Sequence, residues 1–296
     1  MHEISAARTD LAAEARQLWR ERARETDTLP GVEAEDTVEQ GFAVSTLRVL
    51  DERAANELCK PIGNYVTVSF DALLRREQDA FPRAAAVLAG HVRTLLSLRG
   101  NERVLVVGLG NSSITPDAIG PEAVASVLIT RHLKARMPQD FRAFREVAAV
   151  CAGVLGTTGV ESADLVSAVV EKIRPDRVIA VDALAARCAE RLCRTVQLTD
   201  TGIVPGSGVG NHRNALNSET LGVPVLSVGV PTVVHASALA ESLGVSPEEA
   251  RDESPDMIVT PRDIDRCVHD AGKLIGYAID LALHDGLSVE DVDLFL

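Results

Sequence analysis

The sequence predicts an α/β fold, a three-layer αβα sandwich around a largely parallel sheet. Two apolar runs, Val104 to Val107 and Val178 to Val181, lack any alternation of apolar and polar residues, as strands covered by helices on both faces require. From residue 104 onward strand-like and helix-like segments take turns, the order that winds such a sheet. Both runs also lead to an aspartate followed by Ala, in SITPDAIGP and VIAVDALAAR. That is the carboxyl end of a strand, where open α/β sheets place their ligands.

The elements follow in order. Residues 10 to 25 put Leu11, Ala15, Leu18 and Trp19 on one helical face, with Thr9 or Asp10 as cap and Pro30–Gly31 as stop. Val38 to Val49 and Tyr65 to Phe70 are β-like around a turn-rich piece, which predicts a smaller sheet or hairpin beside the main one, a peripheral region at about 38–70. A long helix is expected from about Ala72 to Leu98. Beyond strand 104–107 come a helix from Pro116 to about Leu133, a strand at Val147 to Cys151 and a helix from Glu161 to Ile173. Strand 178–181 is then followed by a helix at Leu184 to Leu192, a strand at Thr195 to Leu198, a glycine-rich loop, a strand at Val223 to Val230 and a helix from about Val233. Thr260 as N-cap and Pro261 at the first helical position open a last helix that ends near His284. One main α/β domain over residues 11–296 is expected.

Bulk composition narrows the function. The formal charge of −13 and the absence of a concentrated Lys/Arg patch disfavour direct nucleic-acid binding. Six Phe, two Tyr and one Trp leave little for base stacking, so aliphatic and alanine packing must build the core. The N-terminus lacks the apolar stretch of a signal peptide, and no run is long enough to span a bilayer, so a cytoplasmic protein without membrane partners is expected. Cys59, Cys151, Cys188, Cys193 and Cys267 have no zinc or CxxC spacing and are read as reduced thiols.

Asp117 and Asp182 are the candidate reactive groups. Each alone suits a helix N-cap. Together, at the ends of two buried strands, they are placed to share a cleft, where close like charges raise one pKa and keep a proton between them. Such a pair can activate water against a peptide bond. GLGN after the first strand lacks the rest of a dinucleotide-binding fingerprint, so Gly108, Gly110 and Asn111 are read as a sharp turn that aims Thr115 and Asp117 into the cleft, where Asn111 and Thr115 are expected to bind substrate. The segment LTDTGIVPGSGVGNHRNAL, between apolar strands, is too glycine-rich for regular structure and too long for a plain connection. It is expected to hold a substrate backbone through Gly206, Ser207, Gly208 and Asn211, with Asp200, His212 and Arg213 as its charged members. A metal reading would combine His212 and His235 with the two aspartates, but no HExxH-like spacing supports it, and no cofactor is expected. His132, His269 and His284 fall on predicted helices as packing or surface residues.

These stretches resemble the germination protease family, the endopeptidases that degrade small acid-soluble spore proteins. RTDLAAEA, GLGNSSITPDAIGP, GVLGTTGVESADLV, PDRVIAVDALAAR, DTGIVPGSGVGNHR, ETLGVPVLSVGVPTVV and MIVTPRDID carry the resemblance in order from residue 8 to 265. It implies a phosphorylase/hydrolase-like sandwich similar to hydrogenase maturation proteases, a homotetramer located in the forespore and spore core, and an aspartic-type mechanism of unusual fold without a metal. The family's proposed catalytic pair carries onto Asp117 and Asp182. The resemblance also implies a zymogen that removes its own N-terminal segment. Its substrates are cut after an acidic residue and before an apolar residue followed by Ala, a pattern that Thr9, Asp10, Leu11 and Ala12 imitate. Cleavage between Asp10 and Leu11 is therefore expected, with residues 1–10 as propeptide.

The sequence departs from the family pattern at Cys151, Ala152, Thr157 and His235, and over Ala236 to Asp256, while both aspartate motifs are intact. Two rival readings have the same fold: a metal-dependent maturation-type protease and a non-catalytic peptide-binding homologue.

Overall fold

Val104–Leu109 is buried at every position, and its side chains divide between two cores. Val104 and Val106 pack with one set of helices, Leu105 and Val107 with another. The strand is therefore the middle layer of a sandwich. The computed structural model of the chain describes residues 9–23, 29–207, 213–245 and 257–296.

The strands are β1 (Val32–Glu39), β2 (Phe42–Val49), β3 (Gly63–Ser69), β4 (Val104–Leu109), β5 (Val147–Gly153), β6 (Arg177–Ala186), β7 (Thr195–Thr199), β8 (Val225–His235) and β9 (Ile258–Val259). They form a single sheet in the order β1-β2-β3-β7-β8-β6-β4-β5, with β9 on the far end of β8. β8, β6, β4 and β5 run parallel, as the alternating pattern predicts. β7 instead runs antiparallel to β8 and carries β3, β2 and β1 with it. The hairpin expected beside the main sheet is thus its continuation.

One face is covered by α3 (Ala80–Leu96), α4 (Ile119–Ala125) and α6 (Ile264–Leu283), the other by α5 (Ser162–Ile173). Before them in the chain, α1 (Ala12–Ala23) and α2 (Glu52–Leu58) pack around Leu47, Val49 and Tyr65 at the β2–β3 side. Gly120 is a close joint between α4 and the sheet. A Cβ there would lie 2.2 Å from the Leu109 carbonyl oxygen and 2.6 Å from that of Val181, so α4 rests directly on the end of β4 and the middle of β6.

Several expected boundaries move. The helix from Pro116 becomes a 3-10 turn at Thr115–Asp117, then α4, then a separate helix at Arg131–Arg136. The helix from Ala72 is split into Asp71–Leu74 and α3. The final helix begins at Ile264, with Thr260 bonded to the Thr232 carbonyl rather than capping it. The helix expected from Leu184 to Leu192 is absent. β6 runs on through Ala186 because β8 ladders with it on one side while Asp10 bonds Ala185 on the other, followed only by a 3-10 turn at Ala189–Arg191. Helix propensity in a Leu/Ala run yields to hydrogen-bonding groups offered on both sides, by β8 and by Asp10.

Candidate active site

The carboxyl ends of β4 and β6 open into a cavity of about 500 Å³ whose walls include Asp117, Asp182 and Asp10. Asp182 projects from the middle of β6 and is 5% exposed, so it caps no helix. Its Oδ1 accepts the Ala183 N–H at 2.9 Å. Burial first, then the negative charge of Asp117 and to a lesser degree that of Asp10, push its pKa well above the ordinary carboxylate range. Asp117 closes the 3-10 turn before α4, and burial raises its pKa too, opposed by the Asn111 N–H that it accepts at 2.8 Å. That bond requires the main chain to fold back tightly. Gly110 allows it, with φ +100° and the Asp117 carbonyl oxygen where a Cβ would stand.

Of the other predicted residues, Gly206, Ser207 and Arg213 also line the cavity. Arg213 is ion-paired with Glu161 at 3.2 Å. Asn111 serves the turn, its side chain accepting from the Ser113 N–H, and Thr115 lends its carbonyl to Ala118. Neither belongs to the lining. Asp200 faces elsewhere: its carboxylate bonds the Asn64 main-chain N–H and side-chain amide, fixing the start of β3. Gly208, Asn211 and His212 lie outside the described residues, as do residues 246–256. His235 ends β8 and is buried outside the cavity lining, apart from the two aspartates it was to join in a metal site. Among the described residues no group of three or more His, Cys, Asp or Glu is arranged to hold a metal ion. Among them, too, no helix is long and apolar enough to cross a membrane.

The segment Thr9–Ala12 lies across this site. The Asp10 carboxylate receives the Ser207 hydroxyl at 2.8 Å and the Ala185 N–H at 2.9 Å, and the Asp10 N–H bonds the Ala185 carbonyl. Leu11 is fully buried against Leu184, Ala186, Leu192 and Val234, and Ala12 is fully buried beside Leu47, Val49 and Tyr65. Three residues on, Glu14 is 2% exposed, accepts the N–H groups of Arg187 and Cys188 and lies 3.6 Å from Arg191. Lys60 and Gln197 hold the main chain of the segment. Sequence reasoning names none of Ala185, Lys60, Gln197 or Glu161 as site residues. Ala185 and Gln197 stand on β6 and β7 and Lys60 and Glu161 on connections, and neither Lys60 nor Gln197 falls in a quoted motif.

A family model described as germination protease matches residues 10–243. The chain is 39% identical to the germination protease of Caldanaerobacter subterraneus subsp. tengcongensis, covering 98% of both chains. It is 38% identical to that of Clostridium perfringens strain 13 at the same coverage, and 43% identical to that of Bacillus cereus strain ATCC 10987 over 78% of this chain and 64% of the relative. Among solved structures it is similar to the [NiFe] hydrogenase maturation protease HycI from Thermococcus kodakarensis KOD1, with 16% identity and a TM-score of 0.36 over 64% of this chain and 98% of that one. The class that the fold and these relatives define is a peptidase, a hydrolase of peptide bonds, on an α/β sandwich. Within it, the chain belongs to the germination protease family and is an endopeptidase.

Proposed function

We propose that this endopeptidase is made as a zymogen that cuts itself between Asp10 and Leu11, and that the freed site then degrades small acid-soluble spore proteins. The observation that carries the reading is the seat of Asp10, Leu11 and Ala12. An acidic side chain is bound by two donors, the next residue fills an apolar pocket, and the third, an alanine, is fully buried beside Leu47 and Tyr65. This order matches the substrate pattern the family resemblance implies.

Asp117 and Asp182 are the reactive pair in this reading. One carboxylate takes a proton from water as its oxygen adds to the Asp10 carbonyl carbon, while the other, protonated, gives its proton to the Leu11 nitrogen as the C–N bond breaks. The pair ends with its proton exchanged between partners. The two titrate as a unit, so base and acid are roles of the pair. The family resemblance supports assembly as a homotetramer and a place in the forespore and spore core, with no cofactor.

The test is to incubate the purified chain with a small acid-soluble spore protein and to sequence the new N-termini of both. The expected result is a chain that begins at Leu11 and spore-protein fragments cut after acidic residues. A chain that turns over the spore protein while retaining residues 1–10 removes the zymogen step. Loss of activity to a strong chelator, with recovery on adding a divalent ion, transfers the reading to the metal-dependent rival. Binding of the spore protein without fragments transfers it to the non-catalytic one.

A further inference from the structure

The carbonyl oxygen of Asp10 is held by two side chains that no motif predicts. Lys60 Nζ donates to it at 2.9 Å and to the Thr9 carbonyl at 3.0 Å, and Gln197 Nε2 donates to it at 3.1 Å. We infer that Lys60 and Gln197 form the oxyanion-binding pair of this enzyme, holding the charge that develops on the carbonyl oxygen before the cleaved bond. The inference rests on the reading that Asp10–Leu11 is the bond cut in cis.

The placement argues for it. Asp10 lines the cavity with Asp117 and Asp182, whereas the two donors on its carbonyl oxygen, Lys60 and Gln197, lie outside that lining. The Asp10 carboxylate accepts from Ser207 and Ala185, while the hydrogen bonds of the Lys60 ammonium go to the main-chain carbonyls of Thr9 and Asp10. Both donors are fixed beforehand. Lys60 follows the left-handed Cys59 that ends α2, and its own N–H returns to the Ala55 carbonyl. Gln197 is 5% exposed in β7 between Thr67 and Gly229, and its Oε1 accepts the Ala12 N–H at 2.7 Å, which turns Nε2 toward Asp10.

The chemistry needs such a cation. When the water oxygen bonds to the Asp10 carbon, the C=O π pair moves onto oxygen, in a site that already holds Asp117, Asp182 and the Asp10 side chain. A buried ammonium opposes that accumulation of negative charge, and fixed donors at hydrogen-bond distance do so without reorganising. As the C–N bond to Leu11 breaks, the pair returns to carbon and the grip relaxes. Burial lowers the pKa of Lys60, and Asp10, Cys59 and Glu14 work against that lowering.

The test follows self-processing of the full-length chain by mass and N-terminal sequence across mildly acidic to neutral pH. Because this cleavage is intramolecular, its first-order rate carries no substrate-binding step. Lys60→Met and Gln197→Leu are each expected to slow it by about 10²- to 10³-fold, the usual loss for one oxyanion donor, with Lys60→Arg restoring part of the rate. Amide hydrogen exchange over residues 9–15 should stay as in the wild type. Exchange that rises in step with the lost rate makes the pair an anchor for the segment and overturns the inference, as does a Lys60→Met chain that processes at the wild-type rate. Asp182→Asn in the same series separates the two claims: if it is inert while Lys60→Met is fast, only the clamp fails. A wild-type chain whose Asp10–Leu11 bond stays intact overturns both. Should the substituted chains not fold, the processed wild type is given a peptide with the sequence of residues 7–16 bearing a thioamide at the Asp10 carbonyl. Sulfur is the poorer acceptor, so kcat should fall with little change in KM; equal cleavage of the oxygen and sulfur peptides overturns the pair.

Discussion

At the scale of single residues, environment separates two chemically identical side chains. Asp182 sits inside a strand among apolar neighbours, Asp117 on a turn where a main-chain N–H supports its charge. The burial of Asp182 therefore keeps a proton on the pair further up the pH scale, and cleavage should decline as pH rises and that shared proton is lost. Asp117→Asn and Asp182→Asn should each slow self-processing by about 10²-fold or more, the range for losing a general acid or base, with circular dichroism unchanged; processing at the normal rate in both removes the pair from the mechanism. Ser207 contributes to recognition instead. Ser207→Ala leaves the Asp10 carboxylate one donor fewer, a loss of roughly 1.5–3 kcal/mol for a hydrogen bond to a charged group. Trans cleavage after aspartate should then lose about tenfold or more in kcat/KM, which peptide kinetics measure directly.

At the scale of elements, the site depends on how α4 meets β4 and β6. Gly120→Ala places a methyl group on the Leu109 and Val181 main chain. Overpacking of this kind costs about 1–3 kcal/mol, so a fall in Tm is expected together with slower cleavage, because the same shift moves Asp117 relative to Asp182. A melting curve identical to the wild type would show that the helix can lift without strain. Asp280, fully buried on α6, accepts the Leu128 N–H with both carboxylate oxygens, and burial raises its pKa to about 8. Its proton is bound more tightly in the folded chain than in the unfolded one. Its contribution to stability is therefore complete below the unfolded value of 3.8 and is lost as pH rises toward about 8. Asp280→Asn keeps an acceptor and carries no proton to lose, so urea melts of this variant should fall less steeply over that window than those of the wild type. Parallel slopes would refute the assignment.

At the scale of the whole molecule, the N-terminal segment joins parts that are far apart in the chain. Asp10 touches Lys60, Ala185, Gln197 and Ser207, and Glu14 reaches Arg187, Cys188 and Arg191. Cutting before Leu11 severs the contacts of Asp10 but leaves Leu11 and Glu14 on the processed chain. The body of the fold should therefore survive processing while the cavity opens. Light scattering before and after cleavage is expected to give about four times the 31.5 kDa chain mass in both states; a monomer in both would rule out the tetramer.

How much of this was legible in the sequence depends on the range of the interaction concerned. Unbroken aliphatic runs announced β4 and β6, and with them both aspartates, because burial on two faces imposes a local composition. The glycine-rich segment announced itself by its turn residues, and Ser207 with it. Asp200 was misplaced, since a carboxylate beside a strand end looks alike whether it faces the cavity or Asn64. The run from Leu184 to Leu192 misled because its helix propensity is local, while the hydrogen bonds that hold it in β6 come from β8 and from residue 10. By itself, then, the sequence determined the layered fold, the two carboxylates and a peptide resembling a substrate at its own N-terminus. Only the tertiary structure decided that Asp10 of this peptide lines the same cavity as those carboxylates, with Lys60 and Gln197 on its carbonyl. Donor and acceptor there are separated by 50 and 187 residues, and pairing over such distances is set by the topology of the sheet rather than by any neighbouring residue.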